Sequence, residues 1–270
     1  MRNHYVDAHL HLQDSSFAAI TEELIERAGA VGVRQMFCNA VAESDWNAVA
    51  ELAAGTSGII PFFGIHPWFC QEAAPGWQER LATVAASFQN RPVGIGETGL
   101  DKLRAVNFET QRRTFIQHLD LAAELSLPVS VHCVRAWGPL VDTLRTMEAA
   151  GRLPKLLIHS FSGSTETMKR LVDFGCLISY SAMIARDDKQ KLRRTVVRTP
   201  LSALMLETDA PYQKNQNLKD VDSVTADLNE PVAVAALYRY TAALMQVEVH
   251  DLSSQILKNA AIFTNQTADR

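Results

Sequence analysis

Residues 5–11 read Tyr-Val-Asp-Ala-His-Leu-His, and this stretch distinguishes two common folds of alternating strands and helices. It begins as a short apolar strand and ends in a His-x-His pair at His9 and His11. Successive side chains of a strand point to opposite faces, so both imidazoles lie on one side. A doubly wound open sheet would normally carry a glycine-rich phosphate loop at this position. The histidine pair favours instead a closed barrel of parallel strands, whose carboxyl ends meet at one face.

The rest of the chain repeats the same unit. Short apolar stretches without polar alternation, each followed by a helical pattern, indicate a parallel sheet covered by helices. Eight strands are predicted at residues 3–9, Gln35–Ala40, Ile59–Ile65, Pro92–Gly96, Pro128–Val131, Lys155–Ile158, Cys176–Tyr180 and Ala203–Leu206. Helices are predicted near residues 17–30, 44–54, 77–88, 107–125, 137–149, 164–174, 187–197, 231–246 and 252–263. We therefore expect one α/β domain over residues 1–270, a (β/α)8 TIM barrel with an extra C-terminal helix.

The composition is typical of a globular protein. The 270 residues are 47% hydrophobic and 21% charged, which provides enough apolar surface for a large core. We find no leader pattern and no run of about 18 apolar residues, so we predict a cytoplasmic location and no contact with a membrane. The four cysteines form no CxxC motif and are expected to be reduced, buried thiols. The net charge of −4 neither supports nor excludes a nucleic-acid substrate.

Four histidines and two acidic residues lie where separate apolar runs end. They are His9, His11, Glu97, His132, His159 and Asp209. Taken singly, each has an ordinary explanation, such as a hydrogen-bonded core histidine or a carboxylate that caps a helix or turn. In a closed barrel, however, all six side chains would converge on one face. Four imidazoles and two carboxylates at one point form a metal site, so we predict that these six residues bind metal.

Several other residues share the strand faces of these candidates or lie beside them. Asp7 is either a carboxylate that orients a ligand imidazole or an ordinary polar residue near a strand end. Glu207 would be costly if it were buried alone, so it is expected to meet a ligand imidazole or an arginine. Ser130 is a small residue deeper on the inner face, and Gly94 and Gly96 are expected to let a helix pack closely.

In order and spacing, motifs along nearly the whole chain resemble those of the TatD-type metal-dependent hydrolases, within the amidohydrolase-like barrel group. The motifs are Asp7-Ala8-His9-Leu10-His11, Gly64-Ile65-His66-Pro67, Gly96-Glu97-Thr98-Gly99-Leu100-Asp101, Phe115 with His118 and Leu119, Leu127-Pro128-Val129-Ser130-Val131-His132, His159-Ser160-Phe161-Ser162-Gly163, Glu207-Thr208-Asp209-Ala210-Pro211 and Asn229-Glu230-Pro231. The resemblance implies a deoxyribonuclease that acts on DNA ends. It also implies two ions bridged by Glu97, with the other ligands divided between them: His9, His11 and Asp209 on one, His132 and His159 on the other.

Three loops expected at the substrate rim depart from the family pattern. The family commonly has an arginine two residues after His132, but Val134 occupies that position and Arg135 follows it. The segment after Asp101 reads Lys102-Leu103-Arg104-Ala105, and the loop after Pro211 reads Tyr212-Gln213-Lys214-Asn215-Gln216. The resemblance therefore implies the metal chemistry more firmly than the choice of substrate.

We predict metal-assisted hydrolysis of a phosphodiester, with DNA or another phosphodiester as substrate and no obligate protein partner. Two divalent ions about 3.5–4 Å apart activate a water molecule in such sites. Asp209 would accept its proton, and His66 and Arg135 would contact the phosphate. For His66, a structural role before Pro67 fits the sequence equally well. Zinc or manganese suits imidazole ligands better than magnesium, although magnesium could occupy a weaker second site.

Two other functions fit the same residues. A small-molecule hydrolase of an amide, lactone or phosphotriester would use the same activated water. A lysine at the fourth strand end would favour that function, but Glu97 occupies the position. A metal-dependent scaffold would bind a partner without turning over any substrate. Six ligands beside an open face of strand ends favour an enzyme.

Overall fold

The structure is a computed structural model that describes residues 3–88, 90–218 and 221–266. Its centre is one sheet of eight parallel strands, each hydrogen-bonded to the next in sequence order. The strands are β1 (Tyr5–Leu10), β2 (Val33–Asn39), β3 (Ile59–Phe63), β4 (Gly94–Asp101), β5 (Val129–Val134), β6 (Leu156–Ile158), β7 (Leu177–Tyr180) and β8 (Leu204–Leu206). Most strand residues are buried, because helices cover the outer face and side chains fill the interior.

Of the helices described, seven connect successive strands around the barrel, and two follow the last strand. They are α1 (Thr21–Val31), α2 (Trp46–Gly55), α3 (Trp77–Ala86), α4 (Phe108–Leu125), α5 (Trp137–Ala149), α6 (Thr165–Asp173), α7 (Gln190–Arg198), α8 (Val234–Met245) and α9 (Val249–Phe263). No strand separates α9 from α8, so the predicted barrel with an extra C-terminal helix is confirmed. Within the described residues, no helix is both long and apolar enough to cross a membrane. All four cysteines are free and buried, as predicted.

Local sequence signals explain where the longest helix begins and ends. The side chain of Asn107 accepts a hydrogen bond from the backbone N–H of Thr110 at 2.9 Å, which caps the first turn of α4. Phe115, Leu119 and Ala122 follow at helical spacing and are fully buried against the barrel. The predicted cap of α6 is confirmed in the same way, because Ser164 accepts a hydrogen bond from Thr167.

The ends of the sheet meet through the segment that follows β8. The backbone N–H of Asp209 donates to the carbonyl oxygen of His9 at 2.9 Å, and the N–H of His11 donates to the carbonyl oxygen of Ala210 at 2.8 Å. These two bonds close the barrel at the carboxyl ends of its strands. They also hold Asp209 beside His9 and His11, although these residues are far apart in sequence.

The strands that carry Glu97 and His132 extend further than the sequence pattern predicts. The pattern ends the fourth strand at Gly96, whereas β4 continues to Asp101 and shifts its register with β5 between Ile95 and Thr98. The pattern ends the fifth strand at Val131, whereas β5 continues to Val134. Polar residues at a barrel mouth look like a loop in sequence but still pair as strand. The pairing of β4 with β5 therefore holds the backbone around both ligand candidates.

The prediction that a helix packs closely against Gly94 and Gly96 is wrong. A Cβ on Gly94 would lie 2.1 Å from the ring of Phe62 on neighbouring β3. A Cβ on Gly96 would lie 2.8 Å from the carbonyl oxygen of Ser130 on neighbouring β5. Both glycines therefore make room for adjacent strands, because these approach more closely than a covering helix does.

Gly99→Ala is expected to lower the free energy of unfolding by about 3 kcal/mol. The φ of Gly99 is +149°, and an added Cβ would lie 1.9 Å from the carbonyl oxygen of His132, so β4 and β5 would have to separate. Thermal unfolding followed by circular dichroism measures the effect. Gly138→Ala on α5 is the matched control, because nothing lies within 4 Å of its added Cβ. Equal unfolding midpoints for the two variants would contradict this prediction.

Candidate metal centre

The carboxylate of Glu97 lies at the centre of a buried cluster of five histidines at the carboxyl ends of the strands. Each of its two oxygens faces a different set of ring nitrogens. The distances from Oε1 are 2.7 Å to Nδ1 of His132, 2.8 Å to Nε2 of His159 and 3.5 Å to Nε2 of His66. The distances from Oε2 are 3.3 Å to Nε2 of His9 and 3.5 Å to Nε2 of His11.

Asp209 lies on the His9 and His11 side of Glu97. Its Oδ1 is 3.9 Å from Nε2 of His9 and 3.4 Å from Nε2 of His11. Its other oxygen, Oδ2, accepts a hydrogen bond from the side-chain amide of Gln213. The structure therefore brings together all six residues that the sequence predicts as metal ligands, with the other five on two sides of the Glu97 carboxylate.

The remaining ring nitrogen of three of these histidines is held from outside the cluster. Nδ1 of His9 is 2.9 Å from the hydroxyl of Ser130, and Nδ1 of His11 is 2.8 Å from the carbonyl oxygen of Asn39. Nδ1 of His159 is 3.2 Å from Oε1 of Glu207, which is the imidazole partner predicted for that buried carboxylate. Such outer contacts orient ligand imidazoles in metal sites and leave the other nitrogen directed at the metal.

The contacts of His11 show that positive charge is needed between its ring and the carboxylates. A carbonyl oxygen only accepts, so the contact with Asn39 places a proton on Nδ1. A neutral ring would then direct the lone pair of Nε2 at the oxygens of Glu97 and Asp209. Burial lowers the pKa of His11, but the carboxylates of Asp209 and Glu97 outweigh it and raise this pKa to about 9. A divalent cation would supply the same charge at the same point.

Glu97 is held as an anion by its neighbours. Burial raises the pKa of its carboxyl, but the imidazoles of His159, His66 and His9 outweigh burial and hold the pKa well below its usual value. An ionised carboxylate with two open faces can bridge two cations.

The donor set fits divalent cations. Three groups have all their ligand atoms within 4.8 Å of one another: His9 with Glu97 and His159, His9 with His11 and Asp209, and His66 with Glu97 and His132. Among the described residues, Nε2 of His9 is buried without a hydrogen-bond partner. An unpaired buried nitrogen is costly unless a ligand satisfies it. Imidazole and carboxylate donors suit zinc and other first-row cations.

Asp7 does not orient an imidazole, which corrects one of the two roles considered for it. Its carboxylate accepts hydrogen bonds from the backbone N–H of Thr208 at 2.8 Å and from the hydroxyl of Thr208 at 2.6 Å. Burial raises the pKa of Asp7 to about 8, although the Thr208 donors oppose this shift. Asp7 therefore ties β1 to the segment after β8 and supports the position of Asp209.

Asp101 and Trp68 lie at this site, although neither is among the site residues that the sequence predicts. Oδ2 of Asp101 is 3.2 Å from Nε2 of His132 and accepts a hydrogen bond from the indole N–H of Trp68 at 2.8 Å. Continuing the fourth strand beyond Glu97 would have identified Asp101, because residues four apart share a strand face. Trp68 lies in the loop after β3, where no periodicity applies.

The two residues predicted to contact the phosphate lie in different surroundings. His66 is buried in the cluster, and its Nδ1 accepts a hydrogen bond from the backbone N–H of Trp68 at 3.2 Å. Arg135 is exposed and lies directly after β5, beyond Val134. Within the part of the chain that the structure describes, its guanidinium makes no hydrogen bond or ion pair. Only His66 is thus in direct contact with the candidate ligands.

Comparison with known sequences identifies related proteins. The family model described as TatD related DNase matches residues 6–265. A relative from Klebsiella pneumoniae, described as 3'-5' ssDNA/RNA exonuclease TatD, is 31% identical over 217 residues, or 79% of this chain and 80% of the relative. An Escherichia coli relative, described as uncharacterized metal-dependent hydrolase YjjV, is 26% identical over 263 residues, or 97% of this chain and 98% of the relative.

Solved structures show the same architecture. The crystal structure of the TatD homolog YjjV from Escherichia coli has a TM-score of 0.89 and 25% identity, and covers 98% of this chain and 99% of that one. A TatD family hydrolase from Entamoeba histolytica has a TM-score of 0.86 at 19% identity, covering 99% of this chain and 100% of that one. The second likeness shows the fold alone.

Proposed function

Because the chain belongs to the family described as TatD related DNase and is a metal-dependent hydrolase, we propose that it removes nucleotides from DNA ends with two divalent ions. The observation that carries this proposal is the carboxylate of Glu97, whose two oxygens face separate sets of imidazoles with Asp209 beside one set. Relatives named 3'-5' ssDNA/RNA exonuclease support a single-stranded substrate that is shortened from its 3′ end.

We assign the metal ligands as two groups that share Glu97. His9, His11 and Asp209 would hold one ion, and His132 and His159 the other. The short contacts on either side of Glu97 support this division. The abundance of imidazole favours zinc or manganese, and magnesium would suit only a site richer in oxygen ligands. Metal analysis of the purified protein by mass spectrometry tests both the identity and the number of ions.

Asp209 is the proposed proton acceptor. When bound, the two ions would lower the pKa of a water molecule and neutralise charge on the phosphate. Burial raises the pKa of Asp209, but the hydrogen bond with His11 and the charges of His159 and His9 outweigh it, so this pKa is lowered. Asp209 is therefore ionised at neutral pH and can take the proton of the attacking water. Gln213 holds Oδ2, which directs Oδ1 into the cluster.

Three more residues act around this group. Asp101 contacts Nε2 of His132 and orients its ring, so that Nδ1 faces Glu97. We retain His66 and Arg135 as candidates for contact with the phosphate. His66 lies 3.5 Å from Glu97, and Arg135 is an exposed cation after β5. The four buried free thiols also support a reducing compartment, so we propose that the enzyme works in the cytoplasm.

Chelation is expected to abolish nuclease activity. A 5′-labelled single-stranded oligonucleotide incubated with the protein should yield products shortened from the 3′ end. Removing metal with EDTA should lower the rate by at least about a hundredfold, because charge neutralisation and water activation are lost. Adding Mn²⁺ or Zn²⁺ back should restore it. An unchanged rate in EDTA, with metal analysis showing an empty protein, would contradict the proposal.

The same assay separates the other two functions. Turnover of lactones, amides or phosphotriesters by a protein that leaves DNA intact would support the small-molecule hydrolase. Ligand-site variants that lose a binding partner, in a protein that turns over no substrate, would support the scaffold. The position of Glu97, where a lysine would favour a small-molecule hydrolase, supports the nuclease.

A further inference from the structure

An arginine and a tryptophan form an exposed pair beside the candidate metal centre. The guanidinium carbon of Arg104 lies 4.3 Å from the centroid of the Trp68 ring, which is the geometry of a cation–π contact. Both side chains are accessible, since Arg104 is exposed and Trp68 is 39% exposed. We propose that Arg104 binds a phosphate of the nucleic-acid strand next to the metal centre and that Trp68 positions its guanidinium. This inference rests on the proposed nuclease function and adds a binding site to it.

The indole of Trp68 is held in place against the metal centre. Its N–H donates to Oδ2 of Asp101 at 2.8 Å, and the same oxygen lies 3.2 Å from Nε2 of His132. The Trp68 ring also meets the ring of His66 edge-on, with centroids 4.7 Å apart, and the ring of His132 at 6.5 Å. One indole therefore contacts both the Arg104 guanidinium and the rings of His66 and His132. This proximity brings Arg104 within reach of a phosphate that neighbours a phosphodiester held at the metal centre.

The charge of Arg104 is available to a ligand. Several exposed arginines elsewhere are neutralised by carboxylates, as in Arg80 with Glu43 at 2.7 Å and Arg145 with Asp142 at 3.0 Å. Across the described residues, the side chain that contacts the Arg104 guanidinium is that of Trp68, and no carboxylate pairs with this guanidinium. A guanidinium that stacks on an aromatic ring keeps its N–H donors at the edge of its plane. These donors can bind phosphate oxygens in a bidentate manner.

Lys102 offers a matched control in the same loop. Its Nζ lies 4.8 Å from the ring centroid of Phe108, the first residue of α4. Lys102 is exposed and cationic like Arg104. Its side chain lies over a ring of α4, however, and not over Trp68. Removing Lys102 changes the charge of the loop by the same amount without touching the pair.

The test measures binding of single-stranded DNA to the manganese-loaded enzyme. The probe is a 5′-fluorescein oligothymidylate whose 3′-terminal linkages are phosphorothioates, which resist cleavage during the measurement. Arg104→Ala is expected to raise its Kd about tenfold through loss of one charge-assisted contact. The slope of log Kd against log salt concentration should fall by about 0.7, the value for one phosphate contact on a single strand. Lys102→Ala should leave the slope unchanged.

A second series locates the phosphate. Probes with one neutral methylphosphonate at successive positions should bind the wild type more weakly at one position near the 3′ end. Arg104→Ala should lose that sensitivity at the same position only, because the contact is already absent. Trp68→Ala should resemble Arg104→Ala, while Trp68→Phe, which keeps a ring beneath the guanidinium, should retain most of the affinity. Circular dichroism of each variant excludes unfolding as the cause.

The outcomes separate this inference from the proposed function. If the enzyme shortens DNA but Arg104→Ala binds like the wild type, or no methylphosphonate position couples to Arg104, the phosphate site is wrong and the nuclease stands. Equal losses of affinity in Arg104→Ala and Lys102→Ala would also overturn the site, because the net charge of the loop would then explain both losses. If the wild type neither binds nor shortens the oligonucleotide, the proposed function fails and the inference fails with it.

Discussion

Asp209→Asn is expected to lower kcat on single-stranded DNA by at least about a thousandfold, with the fold intact. The carboxamide has nearly the same shape but accepts protons poorly, and loss of the acceptor alone costs about 10²–10⁴ in rate. The change also removes negative charge from Oδ1, which lies 3.4 Å from Nε2 of His11 and 3.9 Å from Nε2 of His9, and so weakens the proposed ion site. Steady-state kinetics with saturating Mn²⁺ measures the effect, together with metal content.

Asp14→Asn is the matched control for this substitution. The carboxylate of Asp14 also lies at the mouth, where it accepts a hydrogen bond from the hydroxyl of Tyr212 at 2.8 Å. The contact of Asp14 with the cluster is through the backbone, since its N–H donates to the carbonyl oxygen of His11 at 3.1 Å, and the substitution leaves this bond in place. The kcat of Asp14→Asn should stay within about threefold of the wild type, because a single exposed hydrogen bond contributes little to stability. A wild-type rate for Asp209→Asn, with circular dichroism unchanged for both proteins, would remove Asp209 from the mechanism.

Glu97→Gln is expected to lose most bound metal and nearly all activity. Each oxygen of Glu97 faces ring nitrogens on a different side of the cluster, so the substitution affects both proposed ions at once. Changes to residues that merely support metal ligands cost about 10–100-fold in metal affinity, so the loss of a bridging carboxylate should exceed a hundredfold. Titration of the metal-free protein with Zn²⁺ or Mn²⁺ by calorimetry measures the affinity, and inductively coupled plasma mass spectrometry measures the content as purified.

Glu43→Gln controls for the loss of one glutamate charge near the mouth. Glu43 pairs with Arg80 at 2.7 Å and takes no part in the histidine cluster, so its metal affinity and rate should match the wild type. Retention of two ions per chain by Glu97→Gln would show that the carboxylate does not bridge. Loss of one ion alone would assign Glu97 to a single site.

The fold could be predicted from the sequence because its signals are local. Apolar runs of strand length alternate with helical patterns, and each helix or strand depends mainly on residues close to it in the chain. The six candidate ligands could be identified for a related reason, since each lies in or just beyond an apolar run and parallel barrel strands end at one face. The boundaries were less accurate where polar residues continue a strand, as in β4 from Glu97 to Asp101.

The partners of the candidate ligands could not be predicted from the same signals. Asp7 and Thr208 are 201 positions apart, yet two hydrogen bonds join them. The contact of Asp101 with His132 and the stacking of Arg104 on Trp68 both connect different strands or loops. No periodicity along the chain encodes such contacts, because they depend on how far each loop folds back over the barrel mouth.

Residue types and their alternation along the chain were therefore sufficient for the barrel, its order of strands and the set of metal-competent side chains. Closure of the barrel was needed to place Asp209 against His9 and His11 through the backbone bonds after β8. It was also needed to centre Glu97 among five imidazoles. The physical reason is that secondary structure follows from short-range sterics and burial, whereas a metal centre requires distances between atoms that only the packed chain brings together.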